Sequence, residues 1–163
     1  MNINEIDALV FDFDGVLTDN KVLVHQDGSE SVLCNRADGL AFDVLRKLKI
    51  PAYILSTETN SVVTQRAKKL KTPVIQGVSN KLEALTKLGA QENYDLRKIL
   101  FTGNDLNDYH VMKSCGFSAC PADSHKSIKD ISSFVLSVKG GDGVIRELME
   151  SIFKLNLLEI LYS

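Results

Sequence analysis

The sequence predicts an α/β protein, one doubly wound domain on a mainly parallel sheet that spans residues 1–163. Apolar runs of strand length alternate with segments of helical period, which is the pattern of strand–helix–strand units. A length of 163 residues suits one domain with a sizeable core. A hydrophobic fraction of 44% and a charged fraction of 25% are ordinary for a globular protein.

Six apolar runs are the strand candidates: residues 8–13, 52–56, 73–76 and 99–103, with shorter pieces near 117 and 134. Helices are predicted between them, two of these at residues 59–70 and 105–115. Two more are predicted from apolar stripes at helical spacing, one made by Leu40, Val44, Leu45 and Leu48, the other by Leu82, Leu85 and Leu88 with Gly89 as its stop.

Two segments depart from the alternation. Residues 21–33, KVLVHQDGSESVL, hold two short β-like runs around QDGS, which predicts a hairpin. Residues 142–163 predict a C-terminal helix and tail with a wide apolar face. That face packs either on the sheet of its own chain or on another subunit, and the sequence leaves both alternatives open.

Charge and composition exclude several classes of function. The net charge of -2 leaves no basic stripe for nucleic acid and no polybasic segment for a membrane surface. No apolar run approaches the roughly 20 residues of a membrane helix, and MNINEID is too polar for a signal peptide. Three cysteines without a CxxC spacing indicate neither a disulfide framework nor a zinc site. We therefore expect a cytoplasmic protein without nucleic-acid or membrane partners.

Carboxylates follow the first predicted strand. Asp12 and Asp14 lie two residues apart, so in a strand they point to one side, at the edge where open parallel sheets bind ligands. Gly15 then allows a tight turn close to a ligand. Taken alone, paired acids near a turn are as often solvated or helix-capping as functional. Asp19 is either a residue that steadies this loop or the start of the hairpin.

Polar groups suited to a phosphate follow the other strands. Ser56 and Thr57 offer hydroxyls, which bind a phosphate oxygen or cap a helix. Lys81 offers an ammonium, although a lone lysine is usually solvated. The fourth predicted strand ends in GNDLND, residues 103–108, a second acidic cluster. Together these groups match a divalent cation, a phosphoryl group and a nucleophile.

The quartet DFDGVLTD, LST, SNK and GNDLND, in this order, resembles the haloacid dehalogenase-like superfamily of aspartate-nucleophile phosphatases. Within it the chain resembles the capless branch, which contains 3-deoxy-D-manno-octulosonate 8-phosphate phosphatases, nine-carbon keto-deoxy sugar 9-phosphatases and the C-terminal module of acylneuraminate cytidylyltransferases. The segments CNRADGLAF and KGGDGVIRELME extend the resemblance over nearly the whole chain. It implies a Rossmann-like fold with a hairpin insertion after the first strand and no cap domain.

The resemblance also implies a mechanism. Asp12 is the implied nucleophile that forms an aspartyl-phosphate, and Asp14 the implied acid and base. Ser56 would bind the transferring phosphoryl group and Lys81 would balance its charge. The implied cofactor is Mg²⁺, with the ligand candidates Asp12, Asp14 through its carbonyl, Asn104, Asp105 and Asp108.

Asn104 is a departure from the pattern, since many relatives have aspartate there. An amide oxygen can coordinate Mg²⁺ but brings no charge, so Asp105 is an alternative ligand. The departure also keeps a second hypothesis open, a catalytically silent oligomerisation module. A third, a receiver domain, is disfavoured because such domains accept phosphate at the end of a middle strand.

The implied substrate is a phosphorylated keto-deoxy sugar acid, and the implied assembly is a homotetramer with the hairpin at its centre. An acidic and two basic residues bind the sugar in the nine-carbon sugar phosphatases. The matching residues here are Glu58, Arg66 and Lys69, of which the two basic ones also suit an exposed helix face. Other implied substrate contacts are Gly15, Thr57, Asn35 and Arg36, and Asp38 lies in the same segment as the last two.

Overall fold

The computed structural model describes residues 1–163 and has a six-stranded sheet flanked by helices. In chain order the strands are β1 Ala8–Phe11, β2 Leu23–Val24, β3 Glu30–Ser31, β4 Ala52–Leu55, β5 Val74–Ile75, β6 Ile99–Thr102, β7 Phe117–Cys120 and β8 Phe134–Val135. The helices are α1 Arg36–Lys47, α2 Ser61–Leu70, α3 Lys81–Glu92, α4 Tyr109–Ser114, α5 Lys126–Ile131, α6 Val144–Glu147 and α7 Leu157–Tyr162.

The sheet has the order β5-β4-β1-β6-β7-β8, and every pair of neighbours is parallel. β1 lies between β4 and β6, with Val10 opposite both Tyr53 and Phe101. Because β4, β1 and β6 are parallel neighbours, their carboxyl ends lie side by side. The strand order reverses direction at β1. The predicted doubly wound α/β class is confirmed.

Alternation along β1 divides the core into two layers. Leu9 and Phe11 face the layer that α1, α2, α6 and α7 cover, whereas Ala8 and Val10 face the layer of α3, α4 and α5. All four residues are fully buried, because a central parallel strand is covered on both faces. Apolar surface is buried on both sides of the sheet, and this burial stabilises the sheet whose carboxyl edge carries the polar residues.

The C-terminal segment packs on its own sheet. Val144, Leu148 and Phe153 are buried in the same layer as α1. α6 is followed by one π-helical stretch, Leu148–Ile152, before α7. Of the two alternatives for this apolar face, the structure shows packing within the chain. No helix combines the length and the apolar character that crossing a membrane requires.

The helix predicted to stop at Gly89 does not stop there. α3 continues to Glu92 and ends at Asn93, whose φ of 60° is left-handed. Gly89 allows a close approach of the backbone instead, since a Cβ at this position would lie 3.4 Å from the Tyr94 carbonyl oxygen. The predicted helix at residues 105–115 is a 3₁₀ turn, Leu106–Asp108, followed by α4.

β2 and β3 form the predicted hairpin, with Leu23 opposite Ser31 and Val24 opposite Glu30. Its tip turns at Gly28, where φ is +82°. An isolated antiparallel bridge between Thr18 and Cys34 closes the base of the hairpin next to the loop that follows β1. The hairpin therefore emerges beside the carboxyl edge of the sheet.

Candidate active site

The carboxyl edge brings together the polar groups predicted at the ends of β1 and β6 and at the start of α3. The Lys81 Nζ atom lies 2.7 Å from Asp12 Oδ1 and 2.6 Å from Asp108 Oδ1. All three residues are buried, and Lys81 is only 3% exposed. Asp12 Oδ1 also accepts a hydrogen bond of 2.7 Å from the Phe13 backbone N–H. Lys81 is therefore a buried counter-ion held between two carboxylates.

β1 ends at Phe11, two residues earlier than predicted, so strand alternation does not extend to Asp12 and Asp14. Asp12 is held instead by Lys81 and by its own turn. Its second oxygen, Oδ2, has no hydrogen-bond partner in the protein. An unpartnered carboxylate oxygen at the end of a central strand is available to a ligand.

Burial and the neighbouring Asp108 raise the pKa of Asp12 to about 8, although Lys81 opposes the shift. Burial lowers the pKa of Lys81, but Asp12 and Asp108 more than offset this, so the net shift is upward. Lys81 is therefore charged at neutral pH. A further cation at this edge would stabilise the ionised form of Asp12, which burial and Asp108 disfavour.

Asn104 supplies a neutral oxygen at the same edge. The residue is 6% exposed, and its Oδ1 atom is buried without a hydrogen-bond partner. Its side chain lies against Gly15, where a Cβ would be 1.9 Å from Asn104 Nδ2. Gly15 is therefore needed for close approach as well as for its φ of +78°. An unpartnered buried amide oxygen fits a cation that takes oxygen ligands, such as Mg²⁺.

Asp105 and Asp108, both predicted as metal ligands, have other partners in the structure. Asp105 is exposed, and its Oδ1 atom caps the 3₁₀ turn by accepting 2.7 Å from Leu106 N–H. The Oδ1 atom of Asp108 accepts a hydrogen bond from Lys81. Its Oδ2 atom accepts one of 2.9 Å from the Asn104 N–H. Asp108 thus positions Lys81 and the Asn104 loop. This arrangement favours Asn104 over Asp105 as the ligand.

Asp14 is half-buried beside this cluster. Burial, together with Glu58 and Glu30, raises its pKa above the ordinary value, while Lys81 lowers it. The loop that carries Asp14 is closed by the Thr18 hydroxyl, which accepts 3.1 Å from Gly15 N–H. A carboxyl group that retains its proton more readily than usual can act as a general acid.

The end of β4 supplies Ser56, Thr57 and Glu58. Ser56 is buried, and its Oγ atom accepts 3.1 Å from Glu58 N–H, which leaves the hydroxyl proton free to be donated. Thr57 is exposed and next in the chain. Glu58 Oε1 accepts from the N–H groups of Thr59 and Asn60 at 2.7 and 2.8 Å. The loop after β4 is thus held in one shape.

A groove between the hairpin and α2 leads away from Asp14. One cleft of about 220 Å³ includes Asp14 and Glu58, and an adjoining one of about 440 Å³ includes Arg66 and Lys69. Three residues, Glu30, Val32 and Val62, line both clefts. A third cleft is lined by Arg36, Arg66 and Lys69. Of the predicted substrate residues, Glu58, Arg66, Lys69 and Arg36 line these clefts, whereas Gly15, Thr57 and Asn35 do not.

Asn35 is placed differently from its prediction as a substrate contact. Its Oδ1 atom caps α1 by accepting 2.8 Å from Ala37 N–H. Its carbonyl oxygen accepts 2.7 Å from Arg66 Nη2. Asn35 thus orients Arg66 as well as starting α1. The Oδ1 atom of Asp19 accepts a hydrogen bond of 3.2 Å from Lys21 N–H, so Asp19 stabilises the turn at the start of the hairpin.

Sequence reasoning missed two features of the site. Glu30 lines the groove, but its location depends on how the hairpin folds back, which no local pattern shows. Gly140 and Gly141 support the loop that follows β1, and a Cβ at Gly140 would lie 2.2 Å from the Gly15 carbonyl oxygen. The KGGDG segment was a signal for such close contact, since paired glycines often mark it.

The fold and the site together define an enzyme with a Rossmann-like parallel sheet and with carboxylates at the end of its first strand. Residues 40–148 match the model of the haloacid dehalogenase-like hydrolases. The chain belongs to this family of haloacid dehalogenase-like hydrolases. The predicted family and the predicted enzyme class, a hydrolase of phosphoric monoesters, are confirmed.

Named relatives lie in the branch that the motifs indicate. The chain is 31% identical to 3-deoxy-D-manno-octulosonate 8-phosphate phosphatase KdsC of Yersinia pestis, over 90% of this chain and 79% of the relative. A structure from Streptomyces avermitilis, assigned to the HAD hydrolase family, is 39% identical with a TM-score of 0.92, over 96% of this chain and 90% of that one. The Moraxella catarrhalis octulosonate 8-phosphate phosphatase, solved with magnesium, phosphate and KDO, is 28% identical with a TM-score of 0.88, over 93% and 88%.

Proposed function

We propose that this chain is a Mg²⁺-dependent phosphatase of keto-deoxy sugar acids that acts through an aspartyl-phosphate on Asp12. The observation that carries the proposal is the buried group of Asp12, Lys81 and Asp108 with the unpartnered Asn104 Oδ1 atom at the same edge. The relatives favour 3-deoxy-D-manno-octulosonate 8-phosphate over a nonulosonate 9-phosphate as the substrate.

Asp12 is the proposed nucleophile because Lys81 and the Phe13 N–H fix its Oδ1 atom, which leaves Oδ2 to attack phosphorus. In the first step a bond forms between Asp12 Oδ2 and phosphorus, and the bond from phosphorus to the sugar oxygen breaks. Asp14 gives its proton to that leaving oxygen. In the second step Asp14 takes a proton from water, which attacks phosphorus and releases phosphate and the Asp12 carboxylate.

Three further groups of the chain support these steps. The Ser56 hydroxyl is placed to donate to an oxygen of the phosphoryl group, since its Oγ atom already accepts from Glu58 N–H. The Lys81 ammonium offsets the negative charge of the phosphoryl group beside Asp12. Asp108 keeps Lys81 in place from the other side. Preorganised donors of this kind stabilise charge without rearranging during the reaction.

The proposed Mg²⁺ ligands are Asp12, the Asp14 carbonyl oxygen and Asn104. When bound, the cation would supply positive charge between the carboxylates and the phosphate oxygens. Unit charges of like sign at 4 Å repel by about 4 kcal/mol at an effective dielectric constant near 20, so such charge is needed here. The raised pKa of Asp12, about 8 without a cation, points the same way.

The second candidate is a catalytically silent module, which Asn104 suggests because it replaces a charged residue. The enzyme is favoured, because the buried amide oxygen of Asn104 has no hydrogen-bond partner in the protein and remains available to a ligand. A silent module has no need of a buried lysine between two carboxylates. Burying such charges has a cost in stability that a structural role does not explain.

We also propose a homotetramer with the hairpin at its centre. Val22, Leu23, Val24 and Leu33 are exposed on the hairpin, with exposures of 50% to 76%. Several large apolar side chains on one small element are typical of a subunit interface. The cytoplasmic location expected from the sequence stays a prediction, which cell fractionation would test.

The proposed activity is tested with a panel of octulosonate and nonulosonate phosphates, each assayed for phosphate release with Mg²⁺ and with EDTA. We expect release from octulosonate 8-phosphate at the highest kcat/KM, and only with the metal. Equal release in EDTA would remove Mg²⁺ from the proposal. No release from any member with Mg²⁺ present would support the silent module instead.

A further inference from the structure

Glu30 is a hairpin residue that the structure ties to the active-site loop. Its Oε2 atom accepts a hydrogen bond of 3.0 Å from Asn60 Nδ2. Asn60 also caps α2 through its Oδ1 atom, which accepts 3.1 Å from Val62 N–H. The N–H of Asn60 in turn donates to Glu58 Oε1 at 2.8 Å. Glu30 and Glu58 are therefore positioned by one residue, and Glu30 is not a freely moving surface charge.

Glu30 lies where the two clefts of the groove meet. The cleft that includes Asp14 and the cleft that includes Arg66 both have Glu30 in their walls. A ligand that extends from Asp14 to Arg66 must therefore pass this side chain. The other two residues that line both clefts, Val32 and Val62, are apolar, so Glu30 is the polar side chain shared by the two clefts.

Acidic and basic side chains lie in different parts of the groove. Glu30 and Glu58 line the cleft that includes Asp14, where Lys21 is the one basic residue in the wall. Arg66 and Lys69 lie at the other end, joined by Arg36. The middle of the groove is thus acidic and its far end is basic. Ionised carboxylates only accept hydrogen bonds, so the middle suits hydroxyl groups and disfavours an anion.

We propose that Glu30 is a specificity-determining residue that accepts hydrogen bonds from hydroxyls in the middle of the substrate and so fixes the direction in which the substrate lies. This inference rests on the proposed phosphatase function. The substrate of that function carries a phosphate at one end, hydroxyls in the middle and a carboxylate at the other end. The phosphate lies at Asp12 and Lys81, the hydroxyls at Glu30, and the carboxylate towards Arg66.

The proposal is tested with Glu30→Gln, which keeps an oxygen for Asn60 but removes the charge. Steady-state kinetics are measured on octulosonate 8-phosphate and on p-nitrophenyl phosphate, which has neither hydroxyls nor a carboxylate. We expect KM for the sugar acid to rise about tenfold with kcat within about twofold, as for the loss of a hydrogen bond to a charged group. KM for p-nitrophenyl phosphate should stay unchanged, and any change in kcat that follows from the loss of a charge near Asp14 should be the same for both substrates.

Glu92→Gln is the matched control, because Glu92 is exposed and ends α3 at the opposite end of that helix from Lys81. It should behave as the parent on both substrates, and thermal unfolding of both variants checks folding. An unchanged KM for the sugar acid in Glu30→Gln would overturn the inference, as would an equal rise in KM for both substrates. A parent protein inactive on every substrate would instead overturn the proposed function.

Discussion

Asn104 is the residue whose chemistry distinguishes this site from a more acidic one. Its buried Oδ1 atom has no protein partner, and it brings no charge to a site that already holds Asp12, Asp108 and Lys81. An amide oxygen in this position binds a divalent cation through its dipole alone. Affinity for the metal is therefore the property that Asn104, as a proposed ligand, would control most directly.

We predict that Asn104→Asp tightens the binding of Mg²⁺. One added carboxylate charge next to the cation should lower the Mg²⁺ concentration for half-maximal activity by about tenfold. Phosphate release is measured against Mg²⁺ concentration for parent and variant. Asn107→Asp, an exposed change in the same turn, is the control and should leave the value as it is. A higher requirement for Mg²⁺ in Asn104→Asp would contradict the proposed ligand.

At the scale of elements, Asp38 joins α1 to α6. It is fully buried, and its Oδ1 atom accepts 2.9 Å from Ile145 N–H and 3.1 Å from Arg146 N–H. It therefore caps a helix more than a hundred residues further along the chain. Burial raises the pKa of Asp38 to about 6, despite these hydrogen bonds and the nearby guanidinium groups of Arg66 and Arg146.

We predict that Asp38 makes stability depend on pH. Since its folded pKa of about 6 exceeds the ordinary 3.8, the native state binds this proton more tightly than the unfolded chain. The free energy of unfolding therefore falls as pH rises between these two values, and Asp38 adds no further change above them. The total is about 3 kcal/mol, at 1.36 kcal/mol per pKa unit.

Urea unfolding of parent and Asp38→Asn between pH 4 and pH 7 measures this effect. The parent should lose about 2 kcal/mol of this total relative to the variant over the interval, because asparagine keeps the acceptor oxygen without titrating. Asp43→Asn, a change at a half-exposed position on α1, should follow the parent at every pH. Parallel curves for the parent and Asp38→Asn would contradict the raised pKa.

The segment before α6 supports the loop that holds Asp14. Gly141 N–H donates 3.0 Å to the Val16 carbonyl oxygen, and a Cβ at Gly140 would lie 2.2 Å from the Gly15 carbonyl oxygen. We predict that Gly140→Ala lowers both the free energy of unfolding, by about 2 kcal/mol, and kcat, because backbone must move to admit the methyl group. Thermal unfolding and steady-state kinetics are the measurements.

The control for that substitution is Gly39→Ala. Gly39 lies within α1, and the nearest atom to its added Cβ would be 4.0 Å away, on Leu70. Alanine is the better helix former by about 1 kcal/mol, so this variant should be as stable as the parent or more so. Similar stability for the two alanine variants would show that the Gly140 contact is not required.

At the scale of the whole molecule, the sequence predicted the sheet well and the helix ends less well. Buried parallel strands are continuous apolar runs, so β1, β4 and β6 could be recognised locally. Helix ends depend on individual caps, and the αL cap at Asn93 was not visible in the apolar pattern that predicted a stop at Gly89.

The candidate site shows the same division. Asp12 and Lys81 could be predicted to meet, because each follows a strand whose carboxyl end reaches one edge of the sheet. The double engagement of Asp108, the place of Glu30 in the groove and the cap that Asp38 provides could not be predicted. These contacts join residues far apart in sequence, and their geometry is set by packing.

The proposed tetramer gives a prediction about the hairpin. Leu23 and Val24 are more than 60% exposed, so the double variant Leu23→Asp, Val24→Asp should fold as the parent does but fail to associate. Light scattering coupled to gel filtration should give four times the chain mass for the parent and a smaller mass for the variant. A parent that elutes as a monomer would contradict the proposed assembly.

The central claim is that Asp12 carries out Mg²⁺-dependent phosphate release from a keto-deoxy sugar acid. Phosphate release from 3-deoxy-D-manno-octulosonate 8-phosphate by the parent and Asp12→Asn, each with Mg²⁺ or EDTA, tests it most directly. We predict turnover only by the parent with Mg²⁺, and a loss of at least about a thousandfold in kcat for the variant. Turnover by Asp12→Asn within about tenfold of the parent would contradict the claim.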